Sequence, residues 1–281
     1  MNENLKKTAY ELRDYALDLI YGAKTGHIGG DFSEAEIMAA LYFSELKVSA
    51  ENPEDPGRDY FILSKGHSME VYYAALTKKG FLDAKDVLER FSRFGSPYIG
   101  HPNNKLPGIE MNSGSLGHGL PVSVGIAKAM KMDGKPNRVY VLMGDGELAE
   151  GSVWEGAMAA SHYGLDNLLA IVDRNRLQIS GPTETVMHHD DLAARFMAFG
   201  WNVIVINGND MDEVLEAFAK ARETAGQPTV VIAETTKGKG VSFIENKAVW
   251  HHKVPSAEEY EQAKQEIAVK IAAFSGEEAQ A

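Results

Sequence analysis

Gly144-Asp145-Gly146, with Asn175 following thirty residues after Asp145, constrains this chain more than any other stretch. The connecting sequence, GDGELAEGSVWEGAMAASHYGLDNLLAIVDRN, reads as strand end, turn, helix, strand. The apolar run Arg138-Val-Tyr-Val-Leu-Met143 leads into the turn, and Leu168-Leu-Ala-Ile-Val172 leads into Asp173-Arg174-Asn175. Between them Val153, Ala157, Ala160 and Tyr163 recur at helical spacing. Such a unit sets an Asp carboxylate and an Asn carboxamide at the carboxyl ends of two parallel strands, where ligands of doubly wound sheets bind. Two hard oxygen donors at that place suit Mg2+, which keeps few protein ligands and takes other oxygens from substrate phosphates. GDG alone is an ordinary tight turn; the flanking strands and helix give it meaning.

The rest of the chain repeats the alternation. Strands are expected at 60–63, 139–143, 168–172, 201–206 and 229–233, and helices at 3–24, 69–79, 121–132, 191–199, 212–224 and after about Ser256. The first helix has Leu5, Ala9, Leu12, Ala16 and Ile20 on one face. Another starts from Ser33 as N-cap, with Glu36 as its capping-box partner. No repeat, low-complexity tract or linker divides the 281 residues. The expectation is therefore one α/β domain over 1–281, a mostly parallel twisted sheet with helices on both faces. The last residues, GEEAQA, read as a frayed end.

With 44% hydrophobic and 24% charged residues, the composition is that of a soluble globular protein. The net charge of −12 comes with no basic run, which argues against nucleic acid and anionic membranes as partners. Phosphates must then be held locally, by a metal, a few histidines and backbone N–H groups. The N-terminus has no signal-peptide pattern, and no apolar run is long enough to span a bilayer. The absence of cysteine excludes disulfides and thiolate chemistry and is compatible with a cytoplasmic location.

Four histidines lie at loop or helix-start positions: His27 in TGHIGG, His67 in SKGHSM, His101 in GHPNNKLPG and His251 in VWHHKVP. If they converge on the metal site, they can bind phosphate or sugar hydroxyls and move protons near neutral pH. Asn112–Gly119, NSGSLGHG, is a Gly/Ser-rich loop opening a helix, able to receive an anion or simply to cap a turn. Met130, Met132 and Met143 read as core or helix packing. Glu258, Glu259 and Glu261 read as a solvated face. His162 carries no motif. His188-His189-Asp190 reads as a polar helix start more readily than as a metal site.

Taken together, these motifs resemble the N-terminal, diphosphate-binding half of a transketolase. TGHIGGDFS is similar to the family's SGHPG segment, SKGH to its GH motif, and GHPNNKLPGIEMNSGSLGHG to its GHPE…LPGVE…TGPLGQG block. GDGELAEG…DRN is similar to the thiamine diphosphate (ThDP) signature, and DRNRLQISG and KGKGVSF…WHHKVP complete the series, from about His27 to about Pro255. The resemblance implies that Asp145 and Asn175 bind Mg2+ through side chains and Leu177 through its carbonyl. Gly146 would let the backbone approach the cofactor's diphosphate, and His67 and His251 would contact the diphosphate or bound sugar. Gly114 and Leu116, flanking Ser115, would line the aminopyrimidine, and Glu150 would couple two cofactor sites. His27, His101 and His251 would serve catalysis at the sugar.

Ile28, Ser115 and His252 depart from the family pattern, as does His118, which replaces a glutamine. His251 is preferred over His252 because it keeps its spacing to Pro255. The family's second half, with the pyrimidine-binding domain, has no counterpart here. The resemblance therefore implies the N-terminal subunit of a two-chain transketolase, an A2B2 heterotetramer with a separately encoded partner. It would transfer a two-carbon ketol unit from a ketose phosphate to an aldose phosphate. Alternatives are a variant sugar (a branched pentulose phosphate or sulfonated ketose), a 2-oxoacid dehydrogenase α-like chain, and a non-catalytic cofactor-holding subunit.

Overall fold

The computed structural model describes residues 2–189 and 191–275. Seven strands are present among them: β1 (Tyr60–Leu63), β2 (Val139–Gly144), β3 (Leu168–Arg174), β4 (Leu177–Gln178), β5 (Gly181–Pro182), β6 (Asn202–Asn207) and β7 (Thr229–Glu234). Five form one sheet in the order β1-β2-β3-β7-β6, every neighbouring pair parallel. β4 and β5 pair as a small antiparallel hairpin just beyond β3.

β2 shows why the sheet sits where it does. Its side chains alternate between two apolar clusters: Tyr140 and Leu142 join one, and Val139, Val141 and Met143 the other. β3 divides the same way, with Leu169 and Ile171 against Leu168, Ala170 and Val172. Both faces are buried, so these strands read as continuous apolar runs instead of alternating ones. The first cluster takes in the helices Asn2–Ala23, Ala35–Ala40, Met69–Lys79 and Met211–Glu223. The second takes in Gly119–Met132, Gly151–His162 and Leu192–Ala198. β6, at the edge, leaves Val205 exposed.

All five expected strands are present, four within one residue at each end and the third, expected at 168–172, running two residues further to Arg174. Leu5, Ala9, Leu12, Ala16 and Ile20 are buried along the first helix as expected. Asp191 and Asp210 cap their helices by accepting from Ala194 N–H and from Asp212 and Glu213 N–H. Of the residues expected to face inward between β2 and β3, Val153, Ala157 and Ala160 are buried, whereas Tyr163 is exposed. Met143 is core, but Met132 is exposed. The GEEAQA end lies outside the described residues.

The helix expected from Ser33 is different. A helix already runs over Ile28–Ser33, and the next begins at Ala35 without a side-chain cap. Tertiary charge pairing overrides the capping box. The Ser33 hydroxyl points to Asp173 Oδ2 at 2.6 Å. Glu36 is held by the Arg13 guanidinium in a buried two-pronged pair, at 2.7 and 2.5 Å.

Candidate active site

The turn after β2 and the turn after β3 lie side by side, because Gly144 pairs with Asp173 in the parallel register. Asp145 follows one strand and Asn175 the other, both buried. The Asp145 carboxylate accepts from Gly146 N–H (2.9 Å), Arg176 N–H (2.7 Å) and the Thr183 hydroxyl (3.2 Å). Burial, and then the nearby Asp173 charge, push its pKa up to about 6. Asn175 Oδ1 accepts from Leu177 N–H at 3.2 Å. Arg176, between them, takes a left-handed backbone (φ 63°), which sharpens the turn.

These residues line a cavity of about 350 Å³ together with His27, His67, His101, Gly114, Leu116, Gly146, Leu177 and His251. The histidines come from four separate segments. His27 packs on His67, His251 and His252 with ring centroids 5.1, 5.6 and 4.5 Å away. His101 lies on the opposite loop, against Gly114. A Cβ on that glycine (φ +147°) would stand 3.0 Å from the His101 ring, so the loop requires glycine there. Gly146 is likewise closely approached: a Cβ would lie 2.9 Å from Gln178 Cγ.

His251 and His252 line different surfaces. His251 lines the cavity with Asp145, whereas His252 lies on the adjoining surface with Ile179 and Val249. Ser115 and Glu150 do not line the cavity, and both are exposed. The acid that closes the site from this turn is Glu147, which is buried. It accepts from Gly117 N–H (2.8 Å), Gly144 N–H (3.1 Å) and the Ser64 hydroxyl. It thereby ties the 112–119 loop to the GDG turn. His118 is exposed, its Nδ1 3.2 Å from the Leu116 carbonyl. His189, in a segment that reads as a polar helix start, is buried near the Asp145 backbone, and His188 pairs with Glu184. Among the described residues no cluster of three His, Cys, Asp or Glu can hold a metal ion.

Electrostatics revise the expected division of labour. Burial first, and then neighbouring cationic and imidazole groups, lower the pKa of His27 to about 4 and of His251 to about 3. His67 and His101 are lowered as well, chiefly by burial. These imidazoles are neutral at pH 7 and do not supply charge for an anion. Positive charge not taken up by a carboxylate pair comes from Lys237, one of two buried lysines that no linear motif singles out; the other, Lys65, is paired with two carboxylates. Lys65, in SKGH, sits between Glu34 (2.6 Å) and Asp173 (2.5 Å). Those carboxylates hold its ammonium charged against the effect of burial. Lys237, in TKGKG, makes no ion pair with a carboxylate among the described residues. Its Nζ lies 3.3 Å from the Leu177 carbonyl and 3.0 Å from His251 Nδ1. Burial, with Lys65 nearby, lowers its pKa to about 8. Both lysines belong to motif segments, but their part in the site comes from burial, which linear spacing does not report.

The sequence matches the family described as "Transketolase, thiamine diphosphate binding domain" over residues 5–275. The chain belongs to this family. It is 48% identical to a subunit of the apulose-4-phosphate transketolase of Phocaeicola vulgatus, over 96% of this chain and 95% of that one. It is 40% identical to a 6-deoxy-6-sulfo-D-fructose transketolase subunit of Clostridium sp., over 89% and 90%. Human transketolase is 41% identical over 95% of this chain, which spans only 42% of the human protein. Among solved structures, Campylobacter jejuni transketolase superposes with a TM-score of 0.89 at 30% identity, over 96% of this chain and 45% of that one. These likenesses agree with the parallel sheet flanked by helices on both faces. No helix among the described residues is long and apolar enough to cross a membrane.

Proposed function

We propose that the chain, as one diphosphate-binding domain, is the N-terminal subunit of a two-chain transketolase dependent on ThDP and Mg2+. It acts in the cytoplasm as an A2B2 assembly with a partner carrying the pyrimidine-binding domain. The observation that supports this best is the convergence on one cavity of Asp145, Asn175 and Leu177 with four neutral histidines. The donor set fits the group. One carboxylate, one carboxamide and one carbonyl are too few to hold a cation alone but suit Mg2+ that shares a diphosphate. The buried Lys237 ammonium, without a carboxylate partner among the described residues, calls for an anion.

In this reading Asp145, Asn175 and the Leu177 carbonyl hold the metal, and Lys237 and His67 face the diphosphate. Leu116 and the Gly114 backbone pack on the ring system, and Gly146 keeps the backbone close. Bound ThDP supplies the carbon nucleophile that no side chain here provides. The chain's own residues orient the sugar and move protons. His27 and His101, being neutral, each offer one nitrogen that donates and one that accepts to sugar hydroxyls and can take up a hydroxyl proton, whereas His251, whose Nδ1 accepts from the Lys237 ammonium, offers its Nε2–H to a sugar oxygen. Glu150, exposed where the Gly151–His162 helix begins, meets a second subunit in this reading.

Ketose and aldose phosphates are the proposed substrates. A second reading, apulose 4-phosphate as the ketol donor, is favoured by the 48% and 45% identities to two subunits named for that activity. The test is two-carbon transfer to ribose 5-phosphate with Mg2+ and ThDP, from xylulose 5-phosphate and separately from apulose 4-phosphate. It is run on the chain alone and on its complex with the partner. Transfer by the complex only is expected, and the preferred donor decides between the readings. Transfer by the chain alone would sink the two-chain proposal.

A further inference from the structure

The two ends of an Asn carboxamide have nearly the same shape but opposite chemistry, so the surroundings decide which end faces a site. For Asn175 the surroundings are unusually explicit. Its Nδ2 lies 3.1 Å from Asp173 Oδ2, and its Oδ1 lies 3.2 Å from Leu177 N–H. We propose that Asp173 is the positioning residue that commits the Asn175 carboxamide oxygen to the cavity. The assignment rests on the reading of Asp145, Asn175 and Leu177 as oxygen donors to a divalent cation.

Asp173 itself is fully buried at the end of β3 and is held from three other segments. Lys65, just after β1, brings its Nζ to 2.5 Å from Oδ2. Ser33, at the end of the Ile28–Ser33 helix, places its hydroxyl 2.6 Å from the same oxygen. The Thr235 hydroxyl, just after β7, donates to Oδ1. An ammonium has no acceptor capacity, so the carboxylate can only receive from it. Turning the Asn175 carboxamide over would set Oδ1 against Asp173 Oδ2 and an amide N–H against Leu177 N–H. Both contacts would then be repulsive. The orientation is thus fixed by two neighbours of opposite character, one of which is itself triangulated by β1, β7 and the Ile28–Ser33 helix.

The same network explains why Lys65 is present although Glu34 and Asp173 take up its charge. It locks Asp173, and through Asp173 it locks the amide. Outer partners of this type tune metal affinity by about 10–100-fold.

The experiment titrates Mn2+, followed by electron paramagnetic resonance, into the assembled complex with ThDP present. Asp173→Asn lets the Asn175 amide turn over. The metal Kd should rise about 10–100-fold, and turnover should return towards the original value at saturating metal. Asn175→Asp, which leaves Asp173 untouched, adds a charge towards the cation but sets two carboxylates about 3 Å apart. It should bind Mn2+ more weakly than the original protein. Unchanged Mn2+ affinity in Asp173→Asn, or tighter binding in Asn175→Asp, would overturn the assignment. A fall in melting temperature without a change in metal affinity would overturn it too, since Asp173 would then be only structural. Absence of saturable Mn2+ binding by the unaltered complex would instead refute the metal reading itself.

Discussion

Lys237 and His27 show how far single side chains can be assigned from their surroundings. Lys237 carries a buried ammonium whose direct polar contacts among the described residues are a carbonyl and a neutral imidazole, with the Asp173 and Asp145 carboxylates acting only from farther off. Burying a cation without an ion-pair partner costs several kcal/mol. Lys237→Met should therefore raise the melting temperature of the ligand-free chain while weakening ThDP binding by about 10-fold or more. Calorimetric unfolding and a ThDP titration of the same preparation check both directions. Lower stability with unchanged affinity would show that Lys237 serves packing alone. For His27, burial and the surrounding cationic and imidazole groups favour the neutral ring down to about pH 4. Its imidazole resonances should not titrate between about pH 8 and 5.5, and a midpoint near the ordinary histidine value of about 6.5 would show the ring to be solvated. His101→Ala should leave ThDP binding nearly intact and cut turnover by about 10²-fold or more, because its proposed contact is with the sugar.

At the scale of elements, the first helix is fastened to the Ala35–Ala40 helix by Arg13 and Glu36, both buried. Removing one member leaves the other charged and buried, so Arg13→Met should cost about 3–5 kcal/mol. Replacing both, with Glu36→Leu added, should recover most of that loss; chemical denaturation of the single and double variants measures it. If the double variant is no better than the single one, the pair is not the fastening. The same contact marks a limit of linear patterns. The strands and the long helices are legible in the sequence because apolar period and Asp caps are local signals, and Asp145, Asn175 and the four histidines are legible because their motifs are contiguous. Ser33 and Glu36 fit a local capping box but answer to Asp173 and Arg13, residues 140 and 23 positions away. Glu147 shares a motif with Asp145, and nothing in the linear pattern separates the acid we propose as a metal ligand from one that ties two loops together. Lys65 and Lys237 carry no periodicity, and only the fold reveals that they are buried beside the cavity.

The 281 residues span 95% of a relative named as a subunit and 42% of human transketolase; in our proposal a partner chain supplies the pyrimidine-binding half. The surface has a matching feature. Ile179 and Val249 are exposed, 74% and 68%, on the shallow depression with His27 and His252 that adjoins the site. In our proposal the partner covers these exposed apolar side chains at the cavity mouth. If the pyrimidine-binding chain seats there, the two chains share one ligand, and cofactor binding and association must strengthen each other by linkage. Mg2+-ThDP should then bind the isolated chain at least about 10-fold more weakly than the complex, and adding it should tighten association by the same factor. Ile179→Asp with Val249→Asp should weaken assembly while leaving the melting temperature of the isolated chain within a few degrees, because neither side chain belongs to either core cluster. Sedimentation analysis with and without cofactor measures both effects. Full assembly by the doubly substituted chain would move the partner to another face. Equal ThDP affinity in the isolated chain and the complex would break the linkage on which a shared site depends.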